Sequence, residues 1–346
     1  MVLNHLKMSK VIVTGGLGYI GSHTSISLID QGQEVVIFDD LSNASEEMLS
    51  RIFKITGTRP CFSKVDLRNK KAALEAFAQH KDAETVIHFA AYKAVKESVD
   101  RPLSYYENNL FALINVLHAQ KTFGIKNFIF SSSATVYGNP ESLPMTENSA
   151  IKRPFSPYGN TKKIAEEILE DYTKANKNLS VISLRYFNPI GAHDSGLIGE
   201  LPSGIPNNLM PYITQTAAGI RDKLLVFGDD YPTKDGTAVR DYIHVVDLAE
   251  AHVAALNYLI KNQQKANYEI YNLGTGQGYS VLEVIKSFEK VNNLNLNYEI
   301  TARRKGDVAA MYASTDLAIQ ILGWSAKRDL NSMVASAWKW EQNFRN

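Results

Sequence analysis

The sequence predicts an α/β protein with a doubly wound parallel sheet and a smaller α/β domain in its second half. Short β-branched runs alternate with helical patterns through the first half, and a glycine-rich turn follows the first of these runs. Strands and helices alternating at this length pack as parallel strands with crossover helices. After about residue 187 the amino-acid composition changes. Residues 188–211 are rich in Gly, Pro and Asn, which is typical of irregular backbone that lines a site.

In the first half, buried β-branched runs predict the strands and amphipathic periodicity predicts the helices. The predicted strands are Lys10–Thr14, Val35–Asp39, Thr85–Ala90, Phe128–Ser131 and Ser180–Tyr186. The predicted helices are Ser22–Gln31, Lys71–Gln79, Leu110–Phe123 and Tyr158–Lys174.

The second half predicts fewer and shorter elements. We expect a helix at Val246–Leu259, a strand near Tyr268–Leu273, and a further helix after Ser280, whose pairing with Glu283 forms a capping box. We therefore predict two domains. Residues 10–187 would bind a cofactor, and residues 188–346 would bind a substrate and are partly interwoven with the first domain.

Composition narrows the classes of function. The chain has 346 residues, 45% of them apolar, and a net charge of +1, so bulk charge favours neither a nucleic-acid partner nor an anionic membrane. No apolar run reaches the roughly 18 residues of a membrane span, and Met1–Met8 resembles a short leader. The single cysteine, Cys61, excludes an intrachain disulfide and favours a cytoplasmic location; we expect it to be a small buried hydrophobic residue.

The segment Val11–Gly21 places three glycines at a strand-to-helix junction. Gly15, Gly18 and Gly21 are spaced by three, a variant of the dinucleotide fingerprint. Glycines allow backbone to approach a pyrophosphate, and the helix N-terminus offers free N–H groups. An ordinary glycine-rich turn is the alternative, but the order of strand, glycines, helix and next strand favours a Rossmann-type sheet.

Acidic residues follow the second predicted strand, at Asp39 and Asp40. A carboxylate here can accept hydrogen bonds from the adenine ribose hydroxyls and repel a 2′-phosphate, which favours NAD over NADP. Asp39 is the preferred candidate because it is nearer the strand end, and Asp40 is then its exposed neighbour. Asp66, after another strand pattern, is either an adenine contact or a turn residue.

The pair Tyr158 and Lys162 opens the longest predicted helix. Residues four apart share one helical face, so the phenol and the ammonium can project together. A tyrosine pKa near 10 must fall by about three units, roughly 4 kcal/mol, before the phenol acts as a base at neutral pH. A neighbouring lysine and a positive nicotinamide both favour the phenolate. A surface Tyr–Lys pair is the alternative.

Three serines, Ser131 to Ser133, end another predicted strand, and Lys93 follows a third. Carboxyl ends of parallel strands face the ligand crevice, so one serine hydroxyl can bridge a substrate hydroxyl to Tyr158 while the others are structural. His88, His193 and His244 show no metal-binding spacing, so we expect no metal.

With these motifs in hand, the chain resembles the extended short-chain dehydrogenase/reductase family, and within it the UDP-galactose 4-epimerases. The similarity runs from about Lys10 to the C-terminus. It rests on GxxGxxG, SSSATVYG, SPYGxxK and RYFNPxGAH, and the most specific matches are Arg185–His193, Gly204–Tyr212, Asp235–His244 and Arg303–Asp307.

The resemblance implies reversible interconversion of UDP-galactose and UDP-glucose through a transient 4-keto sugar and enzyme-bound NADH. Tyr158 would be the acid/base, Lys162 its electrostatic partner and Ser133 the bridging hydroxyl. The implied cofactor-binding residues are Gly15, Gly18, Tyr19, Ile20, Gly21, Asp39, Asp66, Leu67, Lys93, Asn108, Ser133, Tyr158, Lys162 and Tyr186. The implied substrate-binding residues are Ser133, Tyr158, Asn188, Asn207, Leu209, Phe227, Arg240, Arg304, Asp307 and Met311. Family members are usually homodimers.

Three other functions compete with this expectation. A 4,6-dehydratase would need an acidic pair after the catalytic Ser or Thr, where this chain has Ala134 and Thr135. A net dehydrogenase or a decarboxylase is a second alternative, and the net dehydrogenase would release reduced cofactor. A non-catalytic NAD-binding protein would not need Tyr158, Lys162 and Ser133 intact. At Met311 the chain departs from the small residue or Tyr of its relatives, so we expect weak activity on N-acetylhexosamines.

Overall fold

The computed structural model describes residues 8–202, 204, 206–304 and 307–345, so Met1–Lys7 of the predicted leader lie outside the described residues. The strands are β1 Lys10–Thr14, β2 Glu34–Asp39, β3 Cys61–Lys64, β4 Thr85–His88, β5 Asn127–Ser133, β6 Ser180–Tyr186, β7 Asn188–Ile190, β8 Leu224–Phe227, β9 Val239–Arg240, β10 Tyr242–His244, β11 Tyr268–Leu273, β12 Tyr279–Ser280, β13 Tyr298–Thr301 and β14 Ala310–Met311. The helices are α1 Tyr19–Asp30, α2 Glu47–Thr56, α3 Lys70–Ala78, α4 Val95–Asp100, α5 Pro102–Tyr106, α6 Ala112–Phe123, α7 Pro157–Ala175, α8 Leu209–Ala217, α9 Val245–Ile260, α10 Val281–Asn292 and α11 Leu330–Arg345.

A seven-stranded parallel sheet forms the centre of the molecule, in the order β11-β6-β5-β4-β1-β2-β3. The chain enters at β1, builds outward to β3, and then returns to build the other side from β4. The order therefore reverses between β1 and β4, and in such sheets ligands bind at the carboxyl ends of the strands beside this switch point. The predicted fold class is confirmed.

Both faces of the sheet are buried at its central strands, which explains why β1, β2 and β4 are mostly apolar. Along β1, Val11 and Val13 pack into the core shared with α1, α2 and α9, whereas Ile12 packs into the core shared with α3, α6 and α7. Alternate side chains of a strand point to opposite faces, so a sheet covered on both sides needs apolar residues at every position.

The second half contributes both to this sheet and to smaller units of its own. Strand β11 pairs with β6 at the sheet edge, and α9 packs on α1. A separate core lies among α8, α10 and α11, and the predicted capping box of Ser280 and Glu283 begins α10. The division near residue 187 stays a proposal, with β11 and α9 crossing back into the first half.

Several sequence-based expectations differ from the structure. Helix α1 begins at Tyr19 and not at Ser22, and β4 ends at His88 and not at Ala90. Strand β5 continues to Ser133, and the predicted helix from Leu110 begins instead as a π-helical turn at Glu107–Phe111. The prediction that Cys61 is buried is wrong. It begins the edge strand β3, which pairs with β2 on one side only, so the cysteine side chain stays open to solvent.

In the described part of the chain, no helix combines the length and apolarity that a bilayer span requires.

Candidate active site

Backbone contacts dominate the turn after β1. Gly15 has a φ of +68°, and a Cβ there would lie 2.7 Å from the backbone N of Ala90, just past β4. A Cβ on Gly21 would lie 2.2 Å from the Gly15 carbonyl oxygen, whereas one on Gly18 would meet only that oxygen, at 3.3 Å. Gly15 and Gly21 therefore let the turn, the helix and the next strand pack without side chains between them.

Helix α1 begins at this turn without a cap of its own. Gly18 at the N-cap gives no side-chain hydrogen bond, and the first turn carries no acidic residue. The first backbone N–H groups of a helix carry a partial positive charge and need acceptors from outside the helix. Together with the space left by the glycines, this arrangement fits the pyrophosphate of a dinucleotide.

Asp39 ends β2 beside that turn. Its carboxylate is 8% exposed and accepts hydrogen bonds from the backbone N–H groups of Leu17, at 3.1 Å, and Leu41, at 3.0 Å. Burial raises the pKa of Asp39, although both N–H donors oppose the shift. The carboxylate is thus fixed at the strand end where the ribose of a dinucleotide is expected, while Asp40 is half-buried.

Asp66 lies in the turn after β3. Its carboxylate pairs with the guanidinium of Arg68 at 2.8 Å and also accepts the Arg68 backbone N–H, and the pair lowers the Asp66 pKa. These contacts give Asp66 a turn role, and its adenine contact stays a prediction. The neighbouring Leu67 carbonyl accepts a hydrogen bond from Asn115 at 2.9 Å.

The catalytic candidates meet where β5 ends and α7 begins. Ser156 caps α7 by accepting the backbone N–H of Gly159 at 3.1 Å, which places Tyr158 in the first turn. The Ser133 hydroxyl, at the end of β5, lies close enough to the Tyr158 phenol to act on the pKa of that phenol. One turn along α7, the Lys162 ammonium donates to the Ser131 carbonyl at 2.6 Å and lies 6.0 Å from the centre of the Tyr158 ring.

Desolvation dominates the electrostatics of this group. Burial raises the pKa of Tyr158, and the Ser133 hydroxyl only partly opposes it. Burial also lowers the pKa of Lys162 to about 7. The expected lowering of the Tyr158 pKa is therefore not produced by the protein's own groups, because Lys162 is itself desolvated. A phenolate here needs a further positive charge beside it.

Three other cofactor candidates lie around the same end of the sheet. The Lys93 ammonium pairs with Glu200 at 2.8 Å and lies 5.7 Å from the centre of the Tyr19 ring, above the glycine turn. Asn108 is buried in the π-helical turn, a distortion that is frequent at functional sites. Ile20 is half-buried in the first turn of α1.

Tyr186 ends β6 at this edge, but its side chain turns into the core. Its hydroxyl is 3.0 Å from Nε2 of His252, and the side chain is almost fully buried. The cofactor contact of Tyr186 stays a prediction.

A second group of candidates meets in the substrate half. The Arg304 guanidinium lies 4.8 Å from the centre of the Phe227 ring and donates to Asp307 at 3.0 Å. Arg240 reaches the other Asp307 oxygen at 4.0 Å and donates to the Val308 carbonyl at 2.9 Å. Three distant stretches of sequence thus supply two arginines, a carboxylate and a partly open aromatic ring. Such a group can hold a diphosphate and a nucleoside.

The remaining substrate candidates are placed less closely. Asn188 begins β7, Leu209 begins α8 half-buried, and Asn207 is exposed just before that helix. Met311 pairs with Arg240 in neighbouring strands, β14 and β9, and packs against a buried cluster of Ala134, Val136, Tyr137, Met145, Phe187 and Ala313. Met311 thus contacts both the strand of Arg240 and a cluster that includes residues following Ser133.

Sequence reasoning missed two buried charged residues beside these groups. Glu166 accepts hydrogen bonds from Ser132 at 2.6 Å and from Arg185 at 2.9 Å and 2.6 Å. Its position four residues after Lys162 was the available signal. Asp241 follows Arg240 directly and is fully buried. No periodicity marked Asp241, because it lies between two very short strands.

The histidines make structural contacts. Nδ1 of His88 is 2.7 Å from the Thr14 hydroxyl, between β4 and β1. His244 caps α9 and contacts Ser336 at 3.1 Å. Within the described residues, no three His, Cys, Asp or Glu side chains are grouped as metal ligands would be.

Comparison with known proteins agrees with this geometry. The profile of the NAD dependent epimerase/dehydratase family matches residues 11–274. A UDP-glucose 4-epimerase of Bacillus subtilis (strain 168) is 51% identical over 96% of this chain and 97% of its own length. The crystal structure of a UDP-glucose 4-epimerase from Bifidobacterium longum in complex with NAD+ and UDP superposes with a TM-score of 0.93, at 46% identity, over 98% of this chain and 99% of that one. One from Stenotrophomonas maltophila, with bound NAD and formylated UDP-arabinopyranose, gives 0.94 at 46% identity over 97% and 99%. The chain belongs to the NAD dependent epimerase/dehydratase family.

Proposed function

We propose that this protein is a UDP-glucose 4-epimerase, an isomerase that interconverts UDP-galactose and UDP-glucose. The observation that carries the proposal is the group of Tyr158, Ser133 and Lys162 at the carboxyl end of the sheet, on the same edge as the glycine turn after β1. The relatives in Bacillus subtilis and Bifidobacterium longum that share nearly the whole chain support it.

The cofactor is NAD, held at the uncapped start of α1 by the turn of Gly15, Gly18 and Gly21. Asp39 receives the adenine ribose and disfavours a 2′-phosphate. NAD supplies the reversible acceptance of a hydride from the sugar, and the reduced and oxidised forms alternate without net redox change.

The chain's own residues move the proton and hold the nucleotide. Tyr158 takes the proton of the sugar 4′-hydroxyl, with Ser133 bridging the two, and returns it after the sugar has turned over as a 4-keto intermediate. Lys162 orients the cofactor ribose, and the positive charge that a phenolate needs beside it would come mainly from the nicotinamide. The arginines Arg240 and Arg304 bind the diphosphate.

Phe227 and Asp307 complete this anchor, the ring against the uridine and the carboxylate on its ribose hydroxyls. Asn188, Asn207 and Leu209 add contacts from β7 and the start of α8. UDP thus stays fixed at one end while the sugar rotates beside Met311.

Dehydratase chemistry, which the family also includes, finds no acid at the required place. Ala134 is buried and has no ionisable group, and the Thr135 hydroxyl donates to Ser133 at 3.0 Å. Elimination of water needs an additional acid and base next to the catalytic hydroxyl, and these two residues cannot supply them.

We infer that two copies associate through the outer face of α4, α5, the π-helical turn and α6. This face exposes a row of large apolar side chains, Val95, Val99, Leu103, Phe111 and Ile114. Contiguous exposed apolar patches mark interaction surfaces, and one helical face packing on its own copy gives the closed two-fold arrangement commonest among oligomers. A mass measurement in solution should give a dimer for the wild type and a monomer for the double variant Leu103→Asp, Phe111→Asp.

The single exposed thiol suits the reducing cytoplasm, where we place the protein.

The direct test of function is incubation of the purified protein with UDP-galactose, with no NAD added. We expect UDP-glucose to accumulate to a constant ratio, without formation of free reduced cofactor. A dehydrated or oxidised sugar nucleotide, or no turnover in protein that carries NAD, would overturn the proposal.

A further inference from the structure

Asp241 is a fully buried carboxylate that accepts four hydrogen bonds. Oδ1 accepts the backbone N–H of Thr275 at 2.8 Å and its hydroxyl at 2.7 Å, and Oδ2 accepts the N–H groups of Gly276 at 3.2 Å and Ala313 at 3.1 Å. Within the described residues, Asp241 forms no ion pair. Its charge is balanced by oriented N–H and O–H groups alone, and each would be unpaired if the carboxylate were lost.

The backbone of Asp241 ties two further segments together. Its N–H donates to the Met311 carbonyl at 3.0 Å, and its carbonyl accepts the N–H of Asn188 at 3.0 Å. Since Arg240 is the preceding residue, Asp241 connects three of the candidate substrate residues to one buried point.

The strands joined in this way are too short to hold their own alignment. Strands β9 and β14 have two residues each, and β7 and β10 three. A ladder this short makes few hydrogen bonds, so its register depends on contacts from outside. Gly274 shows how closely the chain packs here, since a Cβ on it would lie 2.4 Å from Oδ2 of Asp241.

The position of β14 matters because Met311 packs against a buried cluster that includes residues following Ser133. The cluster consists of Ala134, Val136, Tyr137, Met145, Phe187 and Ala313, and the Met311 backbone pairs with Arg240. A shift of β14 against β9 would change the space between the nucleotide anchor and Tyr158, which is the space that the sugar must fill.

We propose that Asp241 is a positioning residue that sets the width of the sugar pocket, by fixing the Met311 strand to the Arg240 strand, and so determines which C2 substituents the pocket accepts. The inference rests on the proposed function. The carboxylate itself does not touch the substrate; it acts through the two strands and the turn at 274–276.

The test is Asp241→Asn, with turnover of UDP-galactose and UDP-N-acetylgalactosamine measured side by side. An asparagine keeps the size but turns an NH2 group toward N–H donors, so hydrogen bonds are lost in either orientation. We expect the efficiency on UDP-galactose to fall about 10-fold and the preference for it over the N-acetyl sugar to narrow by a similar factor. Thr275→Val, which removes one hydroxyl donor, should narrow the preference less and serves if Asp241→Asn does not fold.

Asp235→Asn is the matched control. Asp235 also holds a turn with its carboxylate, accepting the N–H of Thr237 at 2.9 Å, its hydroxyl at 2.8 Å and the Ser280 hydroxyl in β12, which pairs with β9. In the described structure it forms no hydrogen bond with Met311, Arg240 or the rest of β14. This variant should keep the wild-type preference. When Asp241→Asn is combined with Met311→Ser, the preference between the two sugars should change little further, because both substitutions alter the same side of the sugar pocket.

The inference would be overturned if folded Asp241→Asn and Thr275→Val kept the wild-type preference for UDP-galactose over the N-acetyl sugar. It would also be overturned if the Asp235→Asn control reduced that preference by the same factor. If the wild type turned over neither sugar, the proposed function would fail by itself. Calorimetric binding of UDP and of the two UDP-sugars then tests Asp241 separately: the variant should bind UDP as the wild type does and distinguish the two sugars less. Loss of UDP affinity with the sugar difference intact would contradict the assignment.

Discussion

The two ends of the active site are built in different ways. The turn that holds the pyrophosphate at the cofactor end is one continuous stretch, β1 to α1, in which glycine backbone packs on backbone and the helix start needs no side chain. The substrate end is collected from short strands and loops between residues 188 and 311, and its groups are side chains. The first end has little tolerance for any added atom, whereas the second can change its shape through single side chains and the few buried groups that hold them.

Gly21→Ala tests the low tolerance of the cofactor end and should give the largest effect. A Cβ there would lie 2.2 Å from the Gly15 carbonyl oxygen and 2.8 Å from the Gly16 Cα, and neither backbone atom can move aside without opening the turn. We expect complete loss of copurifying NAD, measured as nucleotide released on denaturation. Gly18→Ala, whose Cβ would meet only one atom at 3.3 Å, should fold as the control. Wild-type NAD content in Gly21→Ala would refute the backbone account.

Tyr158→Phe should give the next largest effect. The ring and its packing remain, so the fold and the NAD content should be those of the wild type. Turnover should fall by a factor of about 100 or more, the scale of lost acid–base catalysis. Steady-state assays on protein with verified NAD content measure it, and near-normal turnover would show that another group moves the proton.

Met311→Ser tests the tolerance of the substrate end. Met311 is half-buried between Arg240 and the segment after Ser133, so a shorter side chain should enlarge the sugar pocket without affecting NAD. We expect activity on UDP-N-acetylglucosamine to rise selectively, since a steric penalty of about 1–3 kcal/mol corresponds to roughly 10–200-fold discrimination. No change in the ratio of the two activities would mean that Met311 fills the core and does not select the sugar.

Lys162→Met should show the cost of the buried ammonium. Because burial lowers the Lys162 pKa to about 7, the folded state binds its proton less tightly than the unfolded state does. The destabilisation is complete below pH 7 and disappears as pH rises through the unfolded value near 10.4. We expect Lys162→Met to lose activity but gain about 1–2 kcal/mol of unfolding free energy at pH 7, an estimate that allows for the lost hydrogen bond to Ser131.

Denaturant unfolding of both proteins at several pH values checks this prediction. The gain should shrink as the pH approaches 10. A gain that is constant with pH would mean that packing, and not the charge, separates the variant from the wild type.

The same contrast explains what could be predicted from sequence. The parallel sheet, the glycine turn and the family followed from local order and motifs, and structure and comparisons confirm them. The pairing of Tyr158 with Ser133 could be anticipated because strand ends and helix starts converge at one sheet edge. The support by Asp241 and Glu166 could not, because their partners, Thr275, Ala313 and Arg185, are brought to them only by tertiary packing.

The prediction that Cys61 is buried was wrong for a related reason. The short segment around Cys61 does not reveal that its strand lies at the edge of the sheet. The electrostatics of Tyr158 also lay beyond the sequence. The spacing of four residues brings the Lys162 ammonium to 6.0 Å from the centre of the Tyr158 ring, but how far each group is desolvated depends on the whole fold.

The central claim is that one cofactor takes hydrogen from C4′ and returns it to the same carbon while UDP stays anchored. The most direct measurement follows UDP-galactose carrying deuterium at C4′ through conversion in ordinary water, with the product analysed by mass spectrometry and NMR. The account predicts that UDP-glucose retains the deuterium fully, at C4′. Loss of the deuterium to solvent, or its appearance at another carbon, would contradict it.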